Sequence, residues 1–236
     1  ADFLDLGGES SRPGADPVSA EEEIRRLLPV LKKIKKHFSE LPISIDTFKS
    51  KTAEVCLSEG ADLVNDISAG EASGGAMFAI CRKFDVPIVL MHKQGESKTM
   101  QDRPEYEDVV SEVALYLSER AKFALGHGIG GDQCVLDPGI GFGKNKEHNL
   151  ALLKNIFVFR KLGFPVLIGA SMKRIVGDLT GRPTEGRLPG SLGIHLAAVM
   201  NGASILRVHD VGAMKDALTG FFGALGPSLR FPEAEG

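Results

Sequence analysis

The feature that most constrains this chain is a short apolar run that recurs along its length and each time stops at a polar, hydrogen-bonding group. The clearest copy ends at Asp137 and breaks at once into a glycine-rich loop that finishes with Lys144. Continuous apolar runs of this length are typical of strands buried on both faces of a parallel sheet. The runs occupy residues 4–6, 43–45, 63–64, 88–90, 135–136, 166–168 and 205–206.

Helical patterns separate these runs, so the chain consists of repeated strand–helix units. We predict one TIM (β/α)8 barrel domain over residues 1–225, with seven of the eight βα units visible in this chain, and a frayed tail over 226–236. A first strand and helix are expected to precede Ala1, because a barrel that lacks one strand has two unpaired edges. An open doubly wound sheet is the alternative architecture. Among the helices, one is predicted over 147–162 and another over 191–200, after a loop at 181–190.

Composition excludes several classes of protein. The chain has 236 residues, 43% of them hydrophobic and 25% charged, as in ordinary globular domains. Its formal net charge of −3 argues against a nucleic-acid partner, which would require a basic excess. No apolar run approaches the roughly 18 residues that span a bilayer, so no membrane is expected. The three cysteines lack a C-x-x-C pair and lie among apolar neighbours, which favours reduced, buried thiols in the cytoplasm.

Familiar nucleotide and zinc motifs are absent or misplaced. Residues 126–131 match G-x-G-x-x-G, but they precede a strand, whereas the dinucleotide fingerprint follows one. The loop at 139–144 lacks the spacing of a P-loop, and Asn145 stands where a magnesium-binding Ser or Thr would be. The histidines form no H-x-x-x-H or comparable pair, so the sequence predicts no metal site built from protein ligands.

Polar side chains follow three of the predicted strands. Asp46, Asn65 and Asp137 should meet at one mouth of a barrel, where a buried carboxylate must be paired or bind a ligand. Two carboxylates and an amide suit a flat heterocycle with adjacent N–H donors, such as a 2-amino-4-oxo ring. Lys173 either neutralises Asp137 or donates to an oxygen of the ligand.

A pair of basic residues follows the last strand. Arg207 and His209 are two apart, so they point to the same side of a strand. Two donors of this type indicate a site for an anion such as phosphate or carboxylate. The alternative is that Arg207 pairs with Asp210 or with an acid on a neighbouring strand.

Taken together, these motifs resemble one family, the dihydropteroate synthases of the folate pathway, which are the targets of sulfonamides. The loop Gly-Gly-Glu-Ser-Ser-Arg-Pro-Gly at 7–14 is similar to the family's Gly-Gly-Glu-Ser-Thr-Arg-Pro-Gly. The other matching stretches are 44–49, 64–67, 91–92, 137–144 and 207–210. The resemblance extends from residue 1 to about residue 225.

The resemblance implies a fold, a reaction and a set of site residues. The fold would be a TIM barrel, and the reaction would join p-aminobenzoate to 6-hydroxymethyl-7,8-dihydropterin diphosphate, releasing diphosphate and 7,8-dihydropteroate. The pterin would be bound by Asp46, Asn65, Ile67, Met91, Asp137, Phe142, Gly169, Lys173 and Arg207. The residues around p-aminobenzoate would be Ser11, Arg12, Pro13, Ser171 and Lys173. The diphosphate would be held by Arg207 and His209.

The resemblance also implies catalytic roles and partners. Asp46 and Lys173 would act at the pterin, and Arg207 and His209 at the leaving group. Mg²⁺ would bind with the substrate diphosphate, and the protein would be a cytoplasmic homodimer with no nucleic-acid or membrane partner. Phe221 and Phe222 on the last helix are candidates for an apolar contact between subunits.

Two departures from the family pattern leave other interpretations open. The family's magnesium-binding Asn would precede Ala1, and Met172 replaces the Arg of the family's Ser-Arg-Lys, where Arg174 could substitute in part. One alternative is a pterin-binding methyltransferase barrel, which shares the Asp46, Asn65 and Asp137 type of clamp. The other is a truncated relative of the synthases without catalytic activity.

Overall fold

The computed structural model describes residues 1–10, 16–95, 100 and 104–226, and strands and helices alternate along them. The strands are β1 (Leu4–Gly7), β2 (Ile43–Asp46), β3 (Leu63–Asp66), β4 (Ile88–Met91), β5 (Cys134–Asp137), β6 (Leu167–Ile168) and β7 (Ile205–Leu206). The helices are α1 (Ala20–His37), α2 (Ser50–Ser58), α3 (Ala76–Phe84), α4 (Val109–Gly126), α5 (Lys146–Lys154), α6 (Ile156–Arg160), α7 (Arg174–Thr180), α8 (Leu188–Met200) and α9 (Val211–Leu225). Within this part of the chain, no helix is long and apolar enough to cross a membrane.

All strand pairings are parallel and follow the order of the chain. Strands β1 to β5 form one sheet, and β6 pairs with β7. A bridge between Leu136 and Val166, with a 2.9 Å hydrogen bond from the Leu136 amide to the Pro165 carbonyl, joins β5 to the β6 side. The described strands therefore form one continuous series, with helices between them, as the prediction of a (β/α) barrel requires.

The inner face of the strands carries two levels of side chains. The lower level is apolar and consists of Leu63, Val89, Val135, Leu167 and Ile205. Side chains two positions apart on a strand point to the same face. The upper level, at the carboxyl ends of the strands, therefore contains Asn65, Met91, Asp137, Gly169 and Arg207. The polar strand ends recognised in the sequence share one mouth, above an apolar floor.

The main core lies between the strands and the helices. Phe78, Leu136 and Phe159 are among its largest side chains, and each is fully buried. The three cysteines are buried and free, which confirms the interpretation of reduced thiols. Burial of this layer fixes the strand register, because a one-residue slip would turn the polar strand ends outward.

Helix α1 begins where its sequence signals predict. The Ser19 side chain accepts a 3.2 Å hydrogen bond from the amide of Glu22, which satisfies one of the free N–H groups of the first turn. The first turn is acidic, at Glu21, Glu22 and Glu23, and the last turn is basic. This arrangement complements the helix dipole.

Two helix predictions were wrong in detail. The single helix expected over 147–162 is broken at Asn155, whose side chain donates to the Ala151 carbonyl at 2.9 Å and whose backbone leaves the helical conformation. Helix α8 begins at Leu188 rather than residue 191, because Pro189 occupies its first turn, where a proline needs no amide partner.

Candidate active site

Arg207 links three strands across the mouth of the barrel. Its Nε lies 2.6 Å from Oδ2 of Asp5 on β1, and its Nη2 lies 2.8 Å from Oδ2 of Asp46 at the end of β2. Burial opposes the charged guanidinium, but the two carboxylates outweigh it and raise the pKa of Arg207. Asp210 is occupied elsewhere, since it caps α9 by accepting from the Ala213 amide at 2.9 Å. Arg207 therefore pairs with acids, as in the alternative considered from the sequence, and these acids lie on β1 and β2.

The surroundings of Asp46 disfavour its ionised form. Burial, and next the negative charge of Asp5, raise its pKa to about 7, although Arg207 acts in the opposite direction. A carboxyl group that titrates near neutral pH can exchange between donor and acceptor during a reaction. Asp46 is thus poised to respond to a change of charge in a bound ligand.

Two buried acceptor atoms face the mouth without a partner among the described residues. They are Oδ1 of Asp5 and Oδ1 of Asn65. The side-chain amide nitrogen of Asn65 donates to Oδ2 of Asp5 at 3.1 Å. The side-chain oxygen of Asn65 takes no part in this hydrogen bond. An unsatisfied buried acceptor is costly, so a site with two of them is suited to a ligand with N–H donors.

Asp137 is deeply buried at the end of β5. It is 7% exposed, and its Oδ1 accepts a 2.7 Å hydrogen bond from the Gly139 amide. Burial raises the pKa of Asp137, while the nearby Lys173, the Gly139 amide and Lys144 lower it. Two lysine side chains therefore act on this carboxyl group through their charge, in a setting with little water.

Lys173 spans the space between Asp137 and the β5–α5 loop. Its Nζ donates to the Ile140 carbonyl at 2.6 Å and lies 4.5 Å from the centre of the Phe142 ring. Burial lowers the pKa of Lys173 to about 8, although Asp137 raises it. Lys173 acts on Asp137 through its charge, as in the first of the two options left open by the sequence. Its observed hydrogen bond goes to a backbone carbonyl, so donation to an oxygen of the ligand stays a prediction.

Ser171 and His209 meet just beyond the ends of β6 and β7. The Ser171 Oγ lies 3.0 Å from Nδ1 of His209 and accepts from the His209 amide at 3.3 Å. His195 supports this segment from below, because its Nε2 accepts from the Ala170 amide at 3.3 Å and its Nδ1 contacts the Ser191 carbonyl at 2.7 Å. His195 is fully buried, so it acts as a packing residue that fixes the strand end carrying Ser171.

The remaining predicted residues have distinct placements. Ile67 and Met91 are buried just beyond β3 and at the end of β4. A Cβ atom at Gly169 would lie 3.6 Å from Cβ of Arg207 and 4.0 Å from Nζ of Lys173, so this position borders both cations. Arg174 points to solvent, with its side chain 85% exposed and 3.7 Å from Asp178. Ser11, Arg12 and Pro13 lie outside the described residues, as do residues 227–236.

The sequence reasoning missed three residues of the site. Asp5 was read as part of an apolar run, although an acid between two leucines on a buried strand was a usable signal. Lys144 and His92 were noted within motifs but given no role, and they lie 3.0 Å apart, at Nζ and Nδ1, beneath the β5–α5 loop. Their contact joins segments 52 residues apart, which no local pattern reveals.

A parallel (β/α) barrel with its ionisable side chains gathered at the carboxyl ends of the strands is the architecture of the TIM-barrel enzymes. Within that class, a family model described as "Pterin binding enzyme" matches residues 1–209. The chain therefore belongs to the pterin-binding enzyme family, and its similar relatives are dihydropteroate synthases.

Three comparisons define the likeness. The dihydropteroate synthase of Neisseria meningitidis serogroup B is 46% identical over 223 residues, which cover 92% of this chain and 77% of that protein. Xanthomonas albilineans dihydropteroate synthase, solved with 4-aminobenzoic acid, is 43% identical with a TM-score of 0.89, covering 95% of this chain and 80% of that one. The same enzyme in complex with 7,8-dihydropteroate is 39% identical with a TM-score of 0.85, covering 95% and 79%. These likenesses confirm both the predicted family and the TIM barrel.

Proposed function

We propose that the protein is a dihydropteroate synthase, a transferase that joins p-aminobenzoate to 6-hydroxymethyl-7,8-dihydropterin diphosphate. The observation that carries the proposal is the set of buried acceptors at the mouth, formed by Asp5, Asn65 and Asp137, beside the donor Lys173. A pterin presents N–H donors and one carbonyl oxygen along the edge of a flat ring. The donor and acceptor pattern of the site complements that edge.

The pterin ring is assigned to the space between the β3, β5 and β7 ends. Asn65 and Asp137 accept from its N–H groups, and Lys173 donates to its oxygen. Met91, Ile67, Phe142 and Gly169 line the ring, and Arg207 lies on the side where a guanidinium can stack on a planar system. The Asn65 oxygen, which would otherwise be unsatisfied, thereby gains a partner.

The p-aminobenzoate is assigned to the side of the mouth formed by Ser171. The Ser171 hydroxyl and the ammonium of Lys173 supply hydrogen-bond donors for a carboxylate, and Ser11, Arg12 and Pro13 are proposed to complete this side. The exposed guanidinium of Arg174 makes it a poor substitute for the Arg that Met172 replaces. Ser171 and Lys173 are thus the described residues on which binding of the second substrate depends.

The diphosphate is assigned to Arg207 and His209, with Mg²⁺ entering as part of the substrate. Among the described residues there is no group of three or more His, Cys, Asp or Glu side chains that could hold a metal. Mg²⁺ is commonly bound by phosphate oxygens with few protein ligands, so the proposal places it on the diphosphate. Its charge would offset the negative charge of the leaving group.

The chemistry exchanges a C–O bond for a C–N bond. The bond between the pterin methylene and the diphosphate breaks, and its electron pair leaves with the diphosphate, next to the cation Arg207. The positive charge left on the pterin is stabilised by the carboxylate of Asp46. The lone pair of the p-aminobenzoate amine then forms the C–N bond, and the amine releases one proton to the departing diphosphate or to solvent.

Two further parts of the proposal concern the whole protein. We place it in the cytoplasm, because three buried free cysteines suit a reducing compartment. We also propose a homodimer. Phe222 on α9 is 42% exposed and stacks edge-on against Phe221, so packing within the chain leaves apolar surface that a second copy can cover.

The deciding experiment is release of diphosphate from the pterin substrate with Mg²⁺, in the presence and absence of p-aminobenzoate. Release that depends on p-aminobenzoate supports the synthase. Asp137→Asn should abolish it, whereas Asp132→Asn, an exposed acid five residues earlier in the chain, should retain it. Methyl transfer from methyltetrahydrofolate to a corrinoid, without diphosphate release, would instead identify a methyltransferase, and pterin binding without either reaction a non-catalytic relative.

A further inference from the structure

A buried lysine beneath the pterin side of the mouth has no assigned part in the reaction. Lys144 ends the β5–α5 loop and is 3% exposed. Its Nζ donates to the Phe142 carbonyl at 2.9 Å, to Nδ1 of His92 at 3.0 Å and, more weakly, to the His92 carbonyl at 3.4 Å. An ammonium has three protons, and three acceptors surround it. No carboxylate of the described residues forms an ion pair with it, so its charge is available to act over a longer range.

The imidazole of His92 is arranged to accept from this ammonium. Burial, and then the positive charge of Lys144, lower the pKa of His92 to about 3, so the ring is neutral. Because Nδ1 accepts, the remaining ring proton lies on Nε2. Tyr116 packs edge-on against the ring, with centroids 4.9 Å apart, which holds its orientation.

The loop that Lys144 holds also carries the pterin-side groups. The backbone at Gly139 approaches the His92 carbonyl so closely that a Cβ atom would lie 1.9 Å from the oxygen. Tyr106 donates to the Gly143 carbonyl at 2.9 Å from the other side. Between these two points lie Ile140, whose carbonyl binds Lys173, and Phe142, whose ring lies beneath it.

Charge connects Lys144 to Asp137 as well. Burial lowers the pKa of Lys144 to about 7 although Asp137 raises it, and Lys144 in turn lowers the pKa of Asp137. The other ionisable groups that act on this pair are Lys173 and Arg207. His148 lies nearby against the Tyr106 ring, and burial and Lys144 lower its pKa.

We infer that Lys144, held by the neutral imidazole of His92, is a positioning residue of the pterin site. It fixes the loop that carries the Phe142 ring and the Ile140 carbonyl, and its positive charge favours the ionised form of Asp137, the acceptor for ligand N–H groups. The inference rests on the proposed function, because it assigns Asp137 to the pterin.

The test is equilibrium binding of 6-hydroxymethyl-7,8-dihydropterin diphosphate with Mg²⁺, by calorimetry across neutral and alkaline pH. Lys144→Met should weaken binding roughly tenfold near neutral pH, the effect of losing charge-assisted contacts. The ratio of variant to parent dissociation constants should fall toward one as the pH rises. Alkaline pH favours the ionised form of Asp137 in the variant and removes the proton of Lys144 in the parent, whereas Lys173, Arg207 and His148 are common to both proteins. Lys146→Met, which removes an exposed lysine two residues away, should bind as the parent does.

A second pair of variants tests the imidazole. His92→Leu removes the acceptor and should weaken pterin binding, whereas His92→Asn, which offers an oxygen near the position of Nδ1, should largely restore it. A ratio of dissociation constants that does not change with pH would show a merely structural lysine and overturn the inference, as would parent-like binding by Lys144→Met or His92→Leu. Failure of the unaltered chain to bind the pterin would overturn the proposed function itself, and the inference with it.

Discussion

At the scale of single residues, Asp46 is expected to make the stability of the protein depend on pH. Its pKa is raised to about 7 by burial and by Asp5, above the ordinary value of 3.8 that applies in an unfolded chain. Between these two values the folded protein binds more protons at this site than the unfolded one, so the free energy of unfolding falls as the pH rises. Above about 7 this penalty is complete. The site thus trades stability for a charge near the pterin.

Asp46→Asn should separate these two effects. We expect kcat/KM for diphosphate release to fall about a hundredfold or more, since a group that stabilises charge in the transition state is lost. The free energy of unfolding of the variant, relative to the parent, should rise across the acidic range and level off above neutral pH. Urea denaturation at a series of pH values measures this difference.

Asp178→Asn is the control for this prediction, because its partner Arg174 is exposed and neither residue lies at the mouth. It should leave both the turnover and the pH profile unchanged. If the difference between Asp46→Asn and the parent were independent of pH, the elevated pKa of Asp46 would be wrong.

Residues with a local signal could be predicted, and residues whose role depends on distant partners could not. Asp46, Asn65 and Asp137 follow apolar runs, and the two-residue period of a strand is enough to bring them to one face. The role of Asp5 depends on its contact with Arg207, which lies 202 positions later in the chain. Lys144 depends in the same way on His92, so its position within a glycine-rich loop did not predict its role.

The β5–α5 loop is the element in which backbone geometry matters most. Gly139 has a φ of +68°, and a Cβ atom there would lie 1.9 Å from the His92 carbonyl oxygen, which belongs to a backbone that cannot move aside easily. We expect Gly139→Ala to lower the free energy of unfolding by about 3 kcal/mol or more, from steric overlap in addition to the left-handed backbone. Urea denaturation measures the loss.

Gly74→Ala provides the matched control for the loop. Gly74 also has a positive φ, +57°, but a Cβ atom there would meet nothing within 4 Å. It should lose only the backbone cost of about 1 kcal/mol. Equal losses in the two variants would show that the approach of Gly139 to His92 contributes nothing to stability.

Element types could be read from the sequence better than element ends. Strands β2 and β4 match their apolar runs because each run stops at a side chain that turns toward the mouth. The break between α5 and α6 was missed because the apolar pattern continues through Asn155, and only the side-chain bond to the Ala151 carbonyl diverts the backbone. Periodicity reports burial, and it does not report such local competition for hydrogen bonds.

On the scale of the whole molecule, the two ends of the strand series approach each other. Arg207, just after β7, reaches Asp5 on β1 and Asp46 at the end of β2, so one side chain spans the interval between the first and last described strands. Among the described residues, this long-range tie, rather than a backbone ladder, links the two strands. The same tie organises the charges of the active site.

Arg207→Met should therefore weaken the molecule as well as its activity. Removing the guanidinium leaves two largely buried carboxylates facing each other, which is strongly destabilising in a fully buried pair. The Arg207 side chain is 43% exposed, so we expect a smaller loss of about 1–2 kcal/mol in the free energy of unfolding at mildly alkaline pH. The loss should shrink as the pH falls below about 7, because Asp46 takes up a proton and the repulsion disappears.

Arg174→Met, which removes an exposed arginine, should cost less than about 0.5 kcal/mol at any pH. Combining Arg207→Met with Asp46→Asn should recover part of the loss, since the double variant keeps only one carboxylate at the tie. A double variant no more stable than Arg207→Met alone would mean that repulsion between Asp5 and Asp46 is not what the guanidinium relieves.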